Sequence, residues 1–290
     1  VQWTGLSNTT VSDTINAMLK TGFVRTAGMQ RSIGGRRSVI YSINGEYGQF
    51  AGVEVWGSGV RITLCDARGQ IKSHFQVPRR PDELSINLLY RSIDLLLEKP
   101  EATNVLAVGI GVEGQIDHLT QTVLKSDVLS WKNVPLKEIV ERRIYVPVFI
   151  DSTINGQISL RKYTQGAQCP EHFMVLDERF PYKAAICLDG HVCRGRANQC
   201  GAAVSFAALV KQVNGLWGLL GLDQVWIACQ CTSQMKEVEQ ILGPIGRGPI
   251  EVYLSDLAEL AWGVEISQNT NWVSLSACPS RQICMMLSTH

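Results

Sequence analysis

Two stretches near the start of this 290-residue chain carry side chains suited to contacting a polyanion. In Arg31-Ser-Ile-Gly-Gly-Arg-Arg37, three guanidiniums surround a pair of glycines. A guanidinium keeps its charge and presents a fork of donors that matches phosphate oxygens, while glycine lets the backbone come close to a ligand. Just upstream, Ser7, Asn8, Thr9, Thr10 and Ser12 gather short hydroxyls and an amide. Such groups reach both phosphates and base edges of a duplex. Nine cysteines are the other reactive groups. Their odd number and irregular spacing point to reduced thiols in a cytoplasmic protein. The Cys229-Gln-Cys231 pair lies too late in the chain to complete a metal site, and Cys193 and Cys200 alone do not supply the four ligands of a tetrahedral one. They read as small buried hydrophobes, with no metal and no cofactor expected.

Composition narrows the partner. Hydrophobic residues make up 45% of the chain, enough for a large core and more than one domain. Net charge is only +1, so any contact with nucleic acid must be local. Residues 1–50 hold five basic side chains against two acidic ones, a local excess of +3. No apolar run reaches membrane-spanning length, so a membrane partner is not expected.

The elements that would position these residues follow from spacing. Ser7 is a good N-cap, and Val11, Ile15, Met18 and Leu19 recur at helical intervals until Thr21-Gly22 stops the helix. Phe23–Arg25 and Ser38–Ile43 read as strands flanking the basic tip. Helix, strand, basic glycine tip and strand make the second half of a winged helix-turn-helix. Val1-Gln-Trp-Thr-Gly5 reads as the end of an earlier helix, so part of this unit is expected before residue 1. The glycines Gly34 and Gly35 would let the wing approach DNA, and Arg31, Arg36 and Arg37 would meet phosphates or a narrow minor groove.

Beyond residue 45 the pattern changes. Phe50–Trp56, Val60–Asp66 and Gln70–Val77 read as three successive strands, and Asp82–Leu97 as an amphipathic helix. Val105–Gly111 and Val146–Ile150 read as buried strands. Phe173–Leu176, Ala184–Leu188 and Gln224–Ala228 read as further strands, with a turn at Asp189-Gly190 and a helix over Val204–Leu220. Three strands followed by alternating helices and strands open a ribonuclease-H-like lobe.

Three runs then resemble the ROK family (repressor, open reading frame, kinase), whose members are sugar kinases or sugar-responsive repressors. They are Gly34-Gly-Arg-Arg37, Gly109-Ile-Gly-Val-Glu-Gly-Gln-Ile-Asp117, and Leu129-Ser-Trp-Lys-Asn-Val-Pro-Leu136 leading to Val146-Pro-Val148. The resemblance covers residues 5 to about 230. It implies an α/β chain with an N-terminal winged helix-turn-helix, in part absent, and a two-lobed, actin-like sugar-kinase body. The domains would be 1–45, a first lobe at 46–156 and a second at 157–290.

The resemblance also locates a kinase site that is altered here. The family's carboxylate base falls on Thr153, within Asp151-Ser-Thr-Ile-Asn155, and a hydroxyl cannot accept a proton at neutral pH. Its second-lobe phosphate loop falls on Asp177-Glu-Arg-Phe-Pro-Tyr-Lys183, which has no glycine and carries two acids. The first-lobe phosphate turn reads Glu54-Val-Trp-Gly-Ser58, where Trp56 would crowd a phosphate. The sugar-binding Glu becomes Ala202 and the zinc-binding His becomes Ser205. Surviving positions on the sugar side are Gly111, Glu113, Gly114 and Asn155, the candidate contacts for a sugar or sugar-like effector.

These features together lead to one expectation. The chain is a non-catalytic transcriptional regulator, a repressor by preference, that binds double-stranded DNA as a homodimer or higher homo-oligomer. The alternative is a sugar kinase of the same family with an atypical active site.

Overall fold

In a computed structural model, the described residues are 7–29, 38–177, 184–195, 200, 205–229, 231–242 and 250–254. Helix α1 (Asn8–Thr21) opens the chain and is followed by the strands β1 (Val24–Met29) and β2 (Val39–Ile43), which pair antiparallel. Next come β3 (Gln49–Trp56), β4 (Gly59–Asp66), β5 (Ile71–Pro78), α2 (Ser85–Leu97) and β6 (Val105–Val112). The short strands β7 (Gln115–Asp117), β8 (Thr122–Ser126) and β9 (Trp131–Val134) form a small antiparallel sheet. Helix α3 (Leu136–Ile144), strand β10 (Val148–Ser152) and helix α4 (Thr153–Gln165) follow. The remaining elements are β11 (Phe173–Asp177), β12 (Ala184–Leu188), β13 (His191–Val192), α5 (Phe206–Leu220), β14 (Gln224–Cys229), α6 (Thr232–Leu242) and β15 (Ile250–Leu254).

Two five-stranded mixed sheets organise the body. The first has the order β10-β6-β3-β4-β5, the second β13-β12-β11-β14-β15. In the first sheet β3 pairs parallel with β6 and antiparallel with β4. Its core joins Val53, Val55, Ile62 and Leu64 to Leu88, Leu89, Ile93 and Leu96 of α2. The i, i+1, i+5, i+8 spacing of those four residues puts one stripe of α2 against the sheet. Each such buried aliphatic side chain contributes roughly 1.5–3 kcal/mol. The second core joins Met174, Leu176, Val225 and Ile227 to Val210 and Val213 of α5.

Helix α4 touches strands of both sheets, and its first turns are buried all round, from Thr153 through Ile158. It runs unbroken across residues 156 and 157, where the sequence suggested a division between lobes.

Several boundaries differ from the sequence reading. Strand β1 extends past Arg25 to Met29, because a bulge between Thr26 and Gly28 keeps it paired with Val39 and Ile40. Helix α2 begins at Ser85 rather than Asp82. Asp82 has φ +58°, and Glu83 is turned back to accept the Arg80 N–H at 2.9 Å. Strand β5 begins at Ile71, since Gln70 closes a turn by donating its N–H to Asp66 Oδ1. Strand β10 begins at Val148. Pro147 has no N–H and contributes only its carbonyl, which accepts from Val108 N at 3.0 Å. Helix α5 begins at Phe206, capped by Ser205.

Candidate functional site

The first candidate surface is built on α1. Ser7 Oγ accepts the Thr10 N–H at 3.1 Å and caps the helix. Gly22, at φ +78°, ends it by donating its N–H to Leu19 O. Met18 is buried and Val11, Ile15 and Leu19 are half-buried, which leaves Ser7, Asn8, Thr9, Thr10 and Ser12 exposed. All five are exposed, Ser7 as the cap and the other four on the first turns of the helix. The basic tip with Arg31, Gly34, Gly35, Arg36 and Arg37 lies outside the described residues. Its flanks are in place, with Met29 paired to Val39 at the open end of the hairpin.

This helix and hairpin are joined to the body by a compact hinge. The Phe23 ring packs edge-on against Tyr47, with centroids 5.2 Å apart. Asn44 donates its N–H to Phe23 O at 2.7 Å and its side-chain amide to Gly22 O at 3.0 Å. Gly48 fits closely there, since a Cβ on it would fall 2.2 Å from Leu106 Cδ1.

The second candidate site lies at the carboxyl ends of β3, β6 and β10. Gly111 is flanked in register by Glu54 on one side and Asp151 on the other. Gly111 carries no side chain between these two carboxylates. Asp151 is held by a short ion pair with Arg194 and by the Asn155 amide, which donates to its Oδ1 at 2.9 Å. Glu54 pairs with Arg61 at 2.7 Å, and the Arg61 guanidinium lies 5.1 Å from the centre of the Trp56 ring. Trp56 in turn donates its indole N–H to Ser58 Oγ at 2.6 Å. The turn after β3 is therefore spanned by an indole with a guanidinium stacked over it.

Asn155 is buried and reaches this site; Glu113 and Gly114 sit on the turn that follows β6. Gly114 has a packing reason of its own, because a Cβ there would lie 2.4 Å from Lys125 O. Thr153, at the base position, is buried at the start of α4 and can only offer a hydroxyl. Asp177 ends β11 in the interior, and residues 178–183 of the expected phosphate-loop segment lie outside the described residues. Ala202 does too. Ser205 serves as a helix cap, accepting the Ala208 N–H.

Residues not anticipated from sequence complete this cleft. Arg194 comes from the turn after β13, 43 positions from its partner Asp151. His118 follows the noted glycine run, and desolvation first, then the Arg194 charge, lowers its imidazole pKa below the ordinary value. Asp117 is held below the usual carboxylate range by backbone N–H groups of Thr120 and Leu119. Gln121 ties this turn to β10, its Oε1 accepting the Ile150 N–H at 2.5 Å. A cationic residue beside a glycine turn, as in Cys193-Arg-Gly195, was the only sequence signal for Arg194.

The cysteines partly depart from expectation. Cys229 is buried, but Cys231 is exposed, with its thiol 2.9 Å from Ser233 Oγ, because it sits in the turn before α6. Cys193 and Cys200 are half-buried rather than core residues, with sulfurs 3.6 Å apart. Among the described residues no group of three or more His, Cys, Asp or Glu side chains is placed to hold a metal. No described helix is long and apolar enough to cross a membrane.

Comparison with known proteins identifies the family and the fold. The ROK family model fits residues 50–201. A xylose repressor from Caldicellulosiruptor bescii is 29% identical over 203 residues, which is 68% of this chain and 50% of that protein. The chain thus spans about half the length of the curated relatives it matches. The structure of a ROK family transcriptional regulator, a homologue of the E. coli MLC protein, superposes with a TM-score of 0.69 at 14% identity. It covers 98% of this chain and 92% of that one. A ROK family glucokinase from Streptomyces griseus, in complex with glucose and AMPPNP, gives a TM-score of 0.60 at 16% identity. There the cover is 77% of this chain and 99% of the kinase.

Proposed function

We propose that this chain, which belongs to the ROK family, is a DNA-binding transcriptional repressor whose kinase-like body has lost phosphotransfer. The carrying observation is the capped helix α1, with Ser7, Asn8, Thr9, Thr10 and Ser12 exposed, followed by two paired strands whose connecting sequence contains Arg31, Arg36 and Arg37. In this reading α1 is the recognition helix of a winged helix-turn-helix and enters the major groove by its N-terminal residues. The hairpin is the wing. The xylose repressor relatives and the wider overlap with the regulator fold than with the glucokinase fold support it.

A single wing and helix reads only a few base pairs, so two copies on a palindromic site are expected, and the body supplies the homodimer contact. The cleft beside Gly111, Glu113, Gly114 and Asn155 is the place for an effector. Its carboxylates at Glu54 and Asp151 already hold arginines, and Thr153 replaces a carboxylate base. A ligand with fewer hydroxyls than a hexose fits that set best. The working location is the cytoplasm, where the operator is.

The test is DNA binding by an Arg36→Ala, Arg37→Ala double variant across a salt series. Each lost phosphate contact should lower the slope of log affinity against log salt by about 0.9, so the pair should lower it by about two. Weaker binding to every sequence is expected. Unchanged affinity and slope would remove the wing assignment. A sugar kinase remains the second reading, favoured by the glucokinase fold and by Asp151 in the cleft. Nucleotide turnover near one per second with any hexose would establish it.

A further inference from the structure

Cys193 and Cys200 are brought together by more than chance proximity. Their sulfurs are 3.6 Å apart. Cys193 is fixed by donating its N–H to Ile186 O at 2.7 Å, and Cys200 by donating its N–H to Arg194 O at 3.1 Å. Gly195 lies between them at φ +60°, and a Cβ on it would stand 3.4 Å from the Cys200 Cβ. Glycine adopts that left-handed backbone without the strain a Cβ would bring. Both thiols are half-buried, so small reagents can reach them.

We infer that Cys193 and Cys200 form a redox dithiol, which closes to an internal disulfide by exchange with a low-molecular-weight disulfide. One cysteine thiolate attacks a sulfur of the reagent, whose S–S bond breaks and releases one thiol. The second cysteine then attacks the protein-side sulfur of the mixed disulfide and releases the other thiol. Two protein thiols are oxidised, and two electrons and two protons leave on the reduced reagent. This reading does not rest on the regulatory function.

The other described cysteines are poorer candidates. Burial raises the Cys187 thiol to about 11 and pushes Cys169 the same way, which starves both of thiolate. Cys65 and Cys229 are buried. Cys231 is exposed, and its hydrogen bond with Ser233 lowers its pKa, so it is the built-in competitor.

The experiment treats the whole chain with oxidised glutathione and maps disulfides by mass spectrometry after tryptic cleavage. Cleavage after Arg194 separates the two cysteines, so their disulfide appears as a cross-linked peptide pair. Fragmentation tells Cys193 from Cys187. At about 0.1 mM glutathione, the nearby second thiol should give roughly tenfold more internal disulfide than glutathione adduct. Cys200→Ser should convert the link into an adduct on Cys193, whereas Cys231→Ser should leave the link unchanged. Adducts on Cys193 or Cys200 without the link, or reaction at Cys231 alone, would overturn the proposal. The measurement on the unaltered chain decides it even if a variant does not fold.

Discussion

The two ends of strand β3 face different tasks. At its amino end the hinge of Asn44, Tyr47 and Gly48 carries a helix and hairpin that expose much of their surface. Asn8, Thr9 and Ser12 stand in solvent, and so do the apolar Met29, Val39, Ile40 and Tyr41. At its carboxyl end the charged groups hold one another, Glu54 with Arg61 and Asp151 with Arg194. An open surface of short polar groups is suited to a large partner that brings its own charge. A cleft whose carboxylates already hold guanidiniums must release those pairs before a ligand can use them. The contrast teaches that the chain leaves its polar groups open to solvent at one end of the sheet and pairs its charges internally at the other.

The comparison breaks most readily at the hinge. Phe23→Ala removes a buried ring and its edge-on contact with Tyr47, and should cost about 3 kcal/mol. Hydrogen exchange should then show α1, β1 and β2 opening while the first sheet stays protected. Equal loss over both regions would mean that the head and the body melt as one unit. Gly48→Ala is the gentler version. Its Cβ would press on Leu106, for about 1–3 kcal/mol by denaturant titration, with the same local pattern.

At the cleft, Arg194→Ala takes the guanidinium from Asp151, whose Oδ1 still accepts the Asn155 amide and the Ser152 N–H. The expected loss is about 1–2 kcal/mol, and Asp151→Ala in the same chain should recover part of it. Strict additivity of the two would show that the pair is a surface contact without coupling.

The smallest effect is on His118. Its folded pKa is lowered, so the unfolded chain binds more protons just below the ordinary value of 6.5. Stability from this group is therefore present above pH 6.5 and declines as pH falls through the folded value. Arg194→Ala removes the second cause of the shift, and the His118 pKa should rise in an NMR titration. An unmoved titration would separate His118 from the Arg194 and Asp151 pair.

Local features of the fold were legible in the sequence and distant ones were not. Ser7, Gly22 and the spacing of Met18 and Leu19 define α1 because capping and amphipathic period act within a few residues. Strand β1 was read too short, since Thr26-Ala-Gly-Met29 has weak strand preference and is held extended by pairing across the bulge. The small sheet of β7, β8 and β9 went unread, its strands being three to five residues long. In the candidate site, Gly111 and Asn155 were named from family-like runs, but nothing local to Asp151 signals Arg194 so far along the chain. Cys193, Cys200 and Cys231 were read as more buried than they are for the same reason. Burial is a property of the packed chain, and Cys231 falls in an exposed turn while Cys229, two residues earlier, is in the core.

One feature of the first sheet sets how far a disturbance can travel. Strand β3 is clamped along its length by β6 on one side and β4 on the other, so it cannot slide or stretch by itself. Its eight residues span roughly 26 Å at about 3.3 Å per residue. A push at Glu54 therefore reaches Gln49 only if the five strands turn together, like a plate rather than a wire. Asn44 and Tyr47, bonded and packed to Gly22 and Phe23, seat α1, β1 and β2 on the amino edge of that plate.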